Sequence, residues 1–252
     1  MSLTPLQIER GFWYHDPENG FPPEYVSYPE EYQGGEKLNL ACTQLDLSSH
    51  RQKKLTEAWC ALLPELPDVK TLWFNSRVNQ PLFEAACEME NLEGLYVKWS
   101  GIKSIASLPK LKKLKYLHIG SSAQVESMEP LREMTGLQAL EIENFKKIRK
   151  LDPIAELTQL EGLSICGSTW TIQVVESLEP LRKLTNLKYL YLIALRSLDK
   201  TLRPIAEIKS LVTLRTAWWW KVEEFAYLRD KLPNLRYGNP LEEDAIREFA
   251  RQ

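Results

Sequence analysis

The spacing of leucines constrains this chain more than any other feature of its sequence. Residues 184–192 read LTNLKYLYL, in which leucine follows the pattern L-x-x-L-x-x-L-x-L. Seven stretches between residues 66 and 216 follow this apolar pattern, at intervals of 22 to 27 residues. A repeat of about 20 to 29 residues buries its apolar side chains only by stacking on its neighbours, so the chain is predicted to be a solenoid. The third apolar positions of the seven copies are Leu72, Leu95, Leu117, Leu140, Leu163, Leu190 and Leu214.

Four copies also carry a proline inside the run that precedes the leucine pattern, at residues 128–134, 151–157, 178–184 and 202–208. Proline suits the first position of a short helical turn, where its missing N–H costs nothing. This run and the leucine pattern, over residues 66–235, resemble the short leucine-rich repeats of the bacterial internalins. The resemblance implies an α/β fold, a right-handed leucine-rich repeat solenoid or horseshoe with a parallel concave β-sheet and short convex helical segments.

The chain is predicted to have three parts. Residues 1–37 form an N-terminal cap rich in aromatic residues and proline, residues 38–237 form the repeat array, and residues 238–252 form a C-terminal cap with a helix over 241–250. The aromatic density of the first part is too high for a free tail, and a solenoid end must be covered. We therefore expect it to lie against the first repeats, with contact to a partner as the alternative.

The beginning of the array is less regular than its middle. Residues 38–49 form an imperfect first copy, which is predicted to place Gln44, Asp46 and Ser48 on the concave face. The apolar residues of 51–63 recur at helical intervals, so a helix is expected there.

The turns after the strands depart from the internalin pattern. That pattern places asparagine three residues after the last strand leucine, but here the position holds Arg77, Ser100, Ser122, Phe145, Ser168, Leu195 and Trp219. Serine can still bond to backbone groups, whereas the bulky residues imply apolar packing. Trp219 is accordingly predicted to lie in the core, with Trp218 and Trp220 pointing elsewhere.

Side chains between the strand leucines point to the concave face, because successive residues of a strand alternate between its two faces. Large aromatic residues there flank a low region formed by Ala139, Gly162, Ser164 and Cys166, and we call this arrangement the aromatic saddle. Exposed aromatic residues beside small ones favour a protein-binding surface, although they also suit strands in general. The candidate binding residues on this face are Trp73, Tyr96, Lys98, Tyr116, His118, Glu141, Glu143, Tyr189, Tyr191 and Arg215.

Residues 167–175 make one repeat longer than the others, and insertions in repeat proteins usually fall in loops. Trp170, within this insertion, is therefore a further candidate for partner binding. The alternative is that Trp170 folds back onto neighbouring loops.

The sequence favours a non-enzymatic module that binds another protein, such as an adaptor, an inhibitor or a toxin-immunity protein. The alternative is a glycan-binding protein that uses the same saddle. A formal charge of −2 gives no general attraction to nucleic acid or to membranes. Free thiols and the lack of an apolar leader or membrane-spanning run lead us to expect a bacterial, cytoplasmic protein.

Catalytic chemistry has little support in the sequence. His118 could pair with Glu141 on the next strand or with Cys166, but two strand spacings, roughly 9 to 10 Å, are too far for proton transfer to the thiol. The four cysteines, Cys42, Cys60, Cys87 and Cys166, lack zinc-site spacing, and no phosphate or calcium loop is present in the sequence. We expect neither a metal nor a cofactor.

Overall fold

A computed structural model of the protein describes residues 2–16 and 20–249. Its strands, in chain order, are β1 (Tyr25–Val26), β2 (Lys37–Leu40), β3 (Thr71–Phe74), β4 (Gly94–Val97), β5 (Tyr116–Ile119), β6 (Ala139–Glu143), β7 (Gly162–Cys166), β8 (Gln173–Val175), β9 (Tyr189–Leu192), β10 (Leu195–Ser197) and β11 (Thr213–Thr216). Nine of them form one parallel sheet in the order β1-β2-β3-β4-β5-β6-β7-β9-β11. The other two, β8 and β10, pair with each other beside it. The predicted solenoid with a parallel sheet is confirmed.

The leucines of the repeat are in register along the sheet. Leu72 pairs with Leu95, and the third apolar residue of each later copy pairs with that of the next copy as far as Leu214. All of these leucines are buried in one continuous core. Each strand is too short to bury its apolar face alone, so stacking of neighbouring repeats supplies the hydrophobic stabilisation.

The prediction for the first copy is wrong in register. The strand is β2, in which Leu38 pairs with Leu72 and Asn39 lies beside Trp73 on the concave face. The chain then leaves the sheet, because Gln44 has a positive φ of 65° and the Thr43 hydroxyl bonds to the carbonyl of Arg77. Gln44, Asp46 and Ser48 therefore belong to a turn that leads into a helix.

The convex side consists of helices and short 3-10 turns, as predicted. The α-helices are α1 (Pro5–Arg10), α2 (Ser49–Leu62), α3 (Gln80–Ala86), α4 (Val222–Lys231) and α5 (Glu243–Phe249), of which α1 and α5 do not belong to the convex side. The proline-containing runs form 3-10 turns at Glu129–Glu133, Ile154–Glu156, Glu179–Lys183 and Arg203–Glu207.

Ala250, the last residue of the predicted C-terminal helix, lies outside the described residues, as do residues 17–19 of the N-terminal part. No helix in the described ranges is long and apolar enough to cross a membrane.

The turn positions behave as expected at Ser100, Ser122 and Phe145, but not at Arg77, which is exposed, and not at the end of the array. The hydroxyls of Ser100 and Ser122 lie 2.6 Å apart, and Phe145 is buried. The prediction that Trp219 is a core residue is wrong, since it is 39% exposed while Trp220 is buried. The reason is that the chain leaves the repeat path to begin α4, which shifts the inward-facing position by one residue.

Candidate interaction surface

The N-terminal segment, residues 2–16, lies across the concave sheet. Its first residues reach β7 and the neighbouring turn, where the backbone N–H of Leu3 and the hydroxyl of Ser2 donate to one carboxylate oxygen of Glu161. The following helix, α1, begins with Thr4 as its N-cap and ends at Gly11. Beyond it the chain continues along the sheet towards β3. The expected contact with the first repeats occurs, since Tyr25–Val26 pairs with β2 and Phe21 packs on Trp73. The structure adds that the beginning of the segment extends over later strands, as far as Thr213 of β11.

Aromatic stacking joins this segment to the predicted saddle. The ring of Phe12 lies parallel to that of Tyr116, with centroids 3.8 Å apart and planes at 7°. Trp13 packs edge-on against Trp73 and tilts over Tyr96, at centroid distances of 5.8 and 5.4 Å. Such aromatic pairs contribute about 0.5–1.5 kcal/mol each beyond the area that they bury.

Hydroxyl groups of the sheet also bind the backbone of the segment. Thr213 donates to the carbonyl of Ile8 at 2.7 Å, and Tyr191 donates to the carbonyl of Glu9 at 2.9 Å. The backbone N–H of Phe12 donates to the Tyr189 hydroxyl at 3.3 Å. Burial raises the pKa of both tyrosines, so each hydroxyl keeps its proton at neutral pH and remains a donor. These contacts recognise a polypeptide backbone whatever its side chains.

Glycines on both sides permit the close approach. A Cβ at Gly11, which has φ of +88°, would lie 3.2 Å from a Glu141 oxygen. A Cβ at Gly94 would lie 3.2 Å from the Trp13 ring, and one at Gly162 would lie 2.1 Å from the Tyr189 ring. Gly94 therefore makes room for Trp13 of the segment, and Gly162 of the saddle makes room for Tyr189 of the neighbouring strand.

The structure corrects the expectation that the aromatic saddle is exposed. Trp73 and Tyr189 are only 3% and 0% exposed, because the N-terminal segment covers them. The aromatic density of the N-terminal sequence and the aromatic residues on the strands were both visible in the sequence, but nothing there joined one to the other. The remaining predicted residues divide into half-buried ones (Tyr96, Tyr116, His118, Glu141, Glu143 and Tyr191) and exposed ones (Lys98, Trp170 and Arg215).

Glu141 connects the polar groups at the centre of the sheet. One of its oxygens accepts from the Tyr189 hydroxyl at 2.9 Å, and the other lies 3.2 Å from Nδ1 of His118. The His118 ring stacks on Tyr96 at 4.3 Å. The predicted pairing of His118 with Glu141 therefore occurs. Its role here is structural, because Glu141 positions Tyr189 and His118 positions Tyr96, and both tyrosines contact the N-terminal segment.

Cys166 is not prepared for nucleophilic chemistry. Its sulfur lies 3.2 Å from the Ser164 hydroxyl, and burial raises the pKa of the thiol to about 11. A nucleophilic cysteine requires a lowered pKa, which favours the thiolate. Within residues 2–16 and 20–249 no cluster of three histidine, cysteine or acidic side chains could hold a metal ion.

The sequence did not indicate a second, open region, which lies at the C-terminal end of the concave face. We call it the C-terminal groove; it has a volume of about 730 Å³ and lies between the last strands and α5. Arg215, Trp219 and Arg236 line it, together with the apolar side chains of Ile193, Trp218, Tyr237, Leu241 and Phe249. No residue of the N-terminal segment contributes to this lining.

Trp170 is 93% exposed, so the alternative in which it folds back onto neighbouring loops does not occur. Its loop leaves β7 and is held by backbone hydrogen bonds between Ser168 and Thr171. Its role in partner binding stays a prediction.

No protein-family model matches the chain, and no curated protein matches its sequence. Solved structures do match its fold. Internalin C2 of Listeria monocytogenes superposes with a TM-score of 0.53 at 21% identity, over 70% of this chain and 73% of that chain. The protein is a leucine-rich repeat solenoid. The internalin-like repeat indicated by the sequence is thus confirmed at the level of the fold.

Two further structures share the leucine-rich repeat fold. An internalin (inlF) of Listeria monocytogenes has a TM-score of 0.55 and 17% identity over 70% of this chain. A leucine-rich repeat protein of Leptospira interrogans has a TM-score of 0.50 and 14% identity over 81% of this chain. This chain spans 55% and 54% of their respective lengths. Solenoids of this type present extended concave surfaces to their partners.

Proposed function

We propose that this leucine-rich repeat protein is a non-enzymatic protein-interaction module whose concave aromatic surface binds a peptide segment. The observation that carries the proposal is the way in which the sheet holds residues 2–13. Hydroxyls of Thr213, Tyr191 and Tyr189 bond to the segment's backbone, and aromatic rings pack against its side chains. This is the chemistry of peptide recognition, in which backbone bonds give affinity and side-chain pockets give specificity.

The same observation favours a peptide over a glycan. Three polar contacts of the sheet are made to amide groups, which a neutral oligosaccharide lacks unless it is N-acetylated. The ring faces of Tyr116 and Tyr96 are covered by Phe12 and Trp13. A partner segment would take the place of residues 2–13, and an adaptor, an inhibitor or a toxin-immunity protein could all use such a surface.

We place the proposed function in a reducing compartment such as the cytoplasm. The four cysteines are free thiols, and disulfides form mainly in oxidising compartments. Burial raises the pKa of Cys42 and of Cys87 to about 12, so both remain protonated.

The test uses the full chain with Phe12→Ala and Trp13→Ala together, and a fluorescein-labelled synthetic peptide of residues 2–16. The peptide should bind the double variant at least about tenfold more tightly than the wild type, because the wild-type surface is already occupied. Leu6→Ala is the matched control, since that side chain belongs to the same segment but is exposed. It should leave the wild-type affinity unchanged.

Equal affinity for the wild type and the double variant would refute the proposal, and so would absence of binding to the variant. Fluorescence of the double variant should also be titrated with oligosaccharides. Saturable quenching by a sugar, with no response to the peptide, would support the glycan alternative instead.

A further inference from the structure

The C-terminal groove concentrates apolar side chains that are exposed to solvent. Ile193, Trp219 and Tyr237 are each more than a third exposed, and so are Leu241 and Phe249. These make up half of the large apolar side chains that are exposed in the described parts of the chain. A contiguous exposed apolar patch of this kind marks an interaction site, whereas single exposed apolar residues do not.

Arginine side chains lie beside this apolar patch with their hydrogen-bond donors available. The Arg215 guanidinium lies 5.7 Å from the Tyr191 ring centre, and the Arg196 guanidinium lies 5.6 Å from that of Trp219. Arg236 donates only to the carbonyls of Pro233 and Leu235. None of the three arginines forms a salt bridge with a residue in the described ranges. An aromatic ring holds a guanidinium in place while leaving its edge free to bind a carboxylate through two parallel hydrogen bonds.

We propose that the C-terminal groove binds an acidic, aromatic segment of a partner protein. The aromatic or aliphatic side chain of that segment packs between Trp219 and Phe249, and its carboxylate binds Arg215 or Arg236. Charge complementarity selects this occupant, since the lining has two arginines and a single acidic residue, Glu242. Arginine and tryptophan are also the residue types that contribute most to protein interfaces.

The groove adjoins the surface that the N-terminal segment covers, because Arg215 of its lining lies over the ring of Tyr191. Its lining contains no residue of 2–16, so it is open in the same structure in which the aromatic saddle is occupied. The double variant at Phe12 and Trp13 should therefore still bind the groove's ligand, and Trp219→Ala or Arg236→Glu should weaken that binding in the double variant as in the wild type. This separates failure of the groove proposal from failure of the concave-surface proposal.

The experiment is a selection of random peptides displayed on phage against the purified full-length protein. Enriched peptides should carry aspartate or glutamate next to phenylalanine, tryptophan or leucine. A fluorescein-labelled copy of the enriched sequence should lose about tenfold or more in affinity for Arg215→Glu, for Arg236→Glu and for Trp219→Ala. Arg149→Glu is the matched control, because that exposed arginine lies outside the groove, and it should bind like the wild type.

A charge exchange makes the test stricter. The same peptide with lysine in place of its acidic residues should not bind the wild type, and it should recover binding to the Arg215→Glu or Arg236→Glu variant. Enrichment of peptides without acidic residues, absence of any enrichment, or affinity that is unchanged in all three groove variants would overturn the proposal. Light scattering that shows a dimer, dissociated by Trp219→Ala, would assign the groove to a second copy of the chain and also overturn it.

Discussion

Replacing Phe12 with alanine should release the N-terminal segment from the sheet without unfolding the repeats. Phe12 is 8% exposed and stacks on Tyr116 at 3.8 Å, so the substitution removes most of one aromatic contact surface. Phenylalanine-to-alanine changes in protein cores cost about 3–5 kcal/mol. Water can enter the vacated space at the sheet surface, so we expect a value near the lower end, about 3 kcal/mol. That corresponds to roughly a 100-fold increase in the equilibrium constant for opening.

Amide hydrogen exchange measures this opening directly. The N–H of Ile8 bonds to the carbonyl of Thr4, and the N–H of Gly11 bonds to that of Gln7, so both are protected only while the segment is folded. Under conditions in which exchange follows the opening equilibrium, both amides should exchange roughly 100-fold faster in the variant. Amides of the central strands, such as Leu140, should keep their wild-type rates.

Two results would contradict this account of the segment. Unchanged protection of Ile8 and Gly11 would mean that Phe12 does not hold α1 on the sheet. A uniform loss of protection that extends to Leu140 would mean that the segment is part of the cooperative core. Leu6→Ala, which removes an exposed side chain from the same helix, should leave both amides near their wild-type rates.

Three further predictions concern single side chains. Burial raises the pKa of Glu143, so the folded state binds its proton more tightly than the unfolded chain and ionisation costs stability as pH rises. Glu143→Gln should therefore increase the free energy of unfolding at pH 7 relative to wild type. The gain should vanish below the ordinary carboxyl pKa of about 4, and thermal melts that show equal gains at pH 7 and pH 3 would contradict this. Burial raises the pKa of the Cys166 thiol to about 11, so at pH 8 it should react with iodoacetamide far more slowly than free cysteine. Mass spectrometry measures the extent of labelling, and rapid labelling would argue against burial of the thiol. Trp220 is buried, so Trp220→Ala should lower the free energy of unfolding, measured in urea, by about 3 kcal/mol or more. Trp219 is exposed, so Trp219→Ala should lower it by less than about 1 kcal/mol. A larger loss for Trp219→Ala than for Trp220→Ala would contradict the difference in burial.

The two surfaces differ in how a partner would gain access to them. A ligand of the aromatic saddle must displace Phe12 and Trp13, so its apparent affinity is reduced by the small fraction of molecules in which the segment is detached. A ligand of the C-terminal groove meets Trp219 and Arg236 without any such rearrangement. Partners of the two sites should therefore differ in their response to Phe12→Ala, which strengthens binding only at the saddle.

Much of the scaffold could be predicted because the information for it is local. A leucine such as Leu117 is placed by its own repeat, and the neighbouring repeats carry Leu95 and Leu140 at the equivalent position. The same reasoning identified His118 and Glu141 as neighbours on adjacent strands. Prediction was wrong where the repeat is interrupted, at β2 and at the start of α4, because a one-residue change of phase reverses which side chains face the core.

The sequence by itself therefore determined the solenoid and, from β3 to β11, the register of the main sheet and the identity of the side chains on its concave face. Only the tertiary structure decided which of those side chains remain exposed. Phe12 and Tyr116 are distant in sequence and belong to no common period, so their stacking follows from the curvature and spacing of the assembled sheet. The same holds for the C-terminal groove, in which Arg215 from the last strand and Phe249 from α5 come together only after the array has folded.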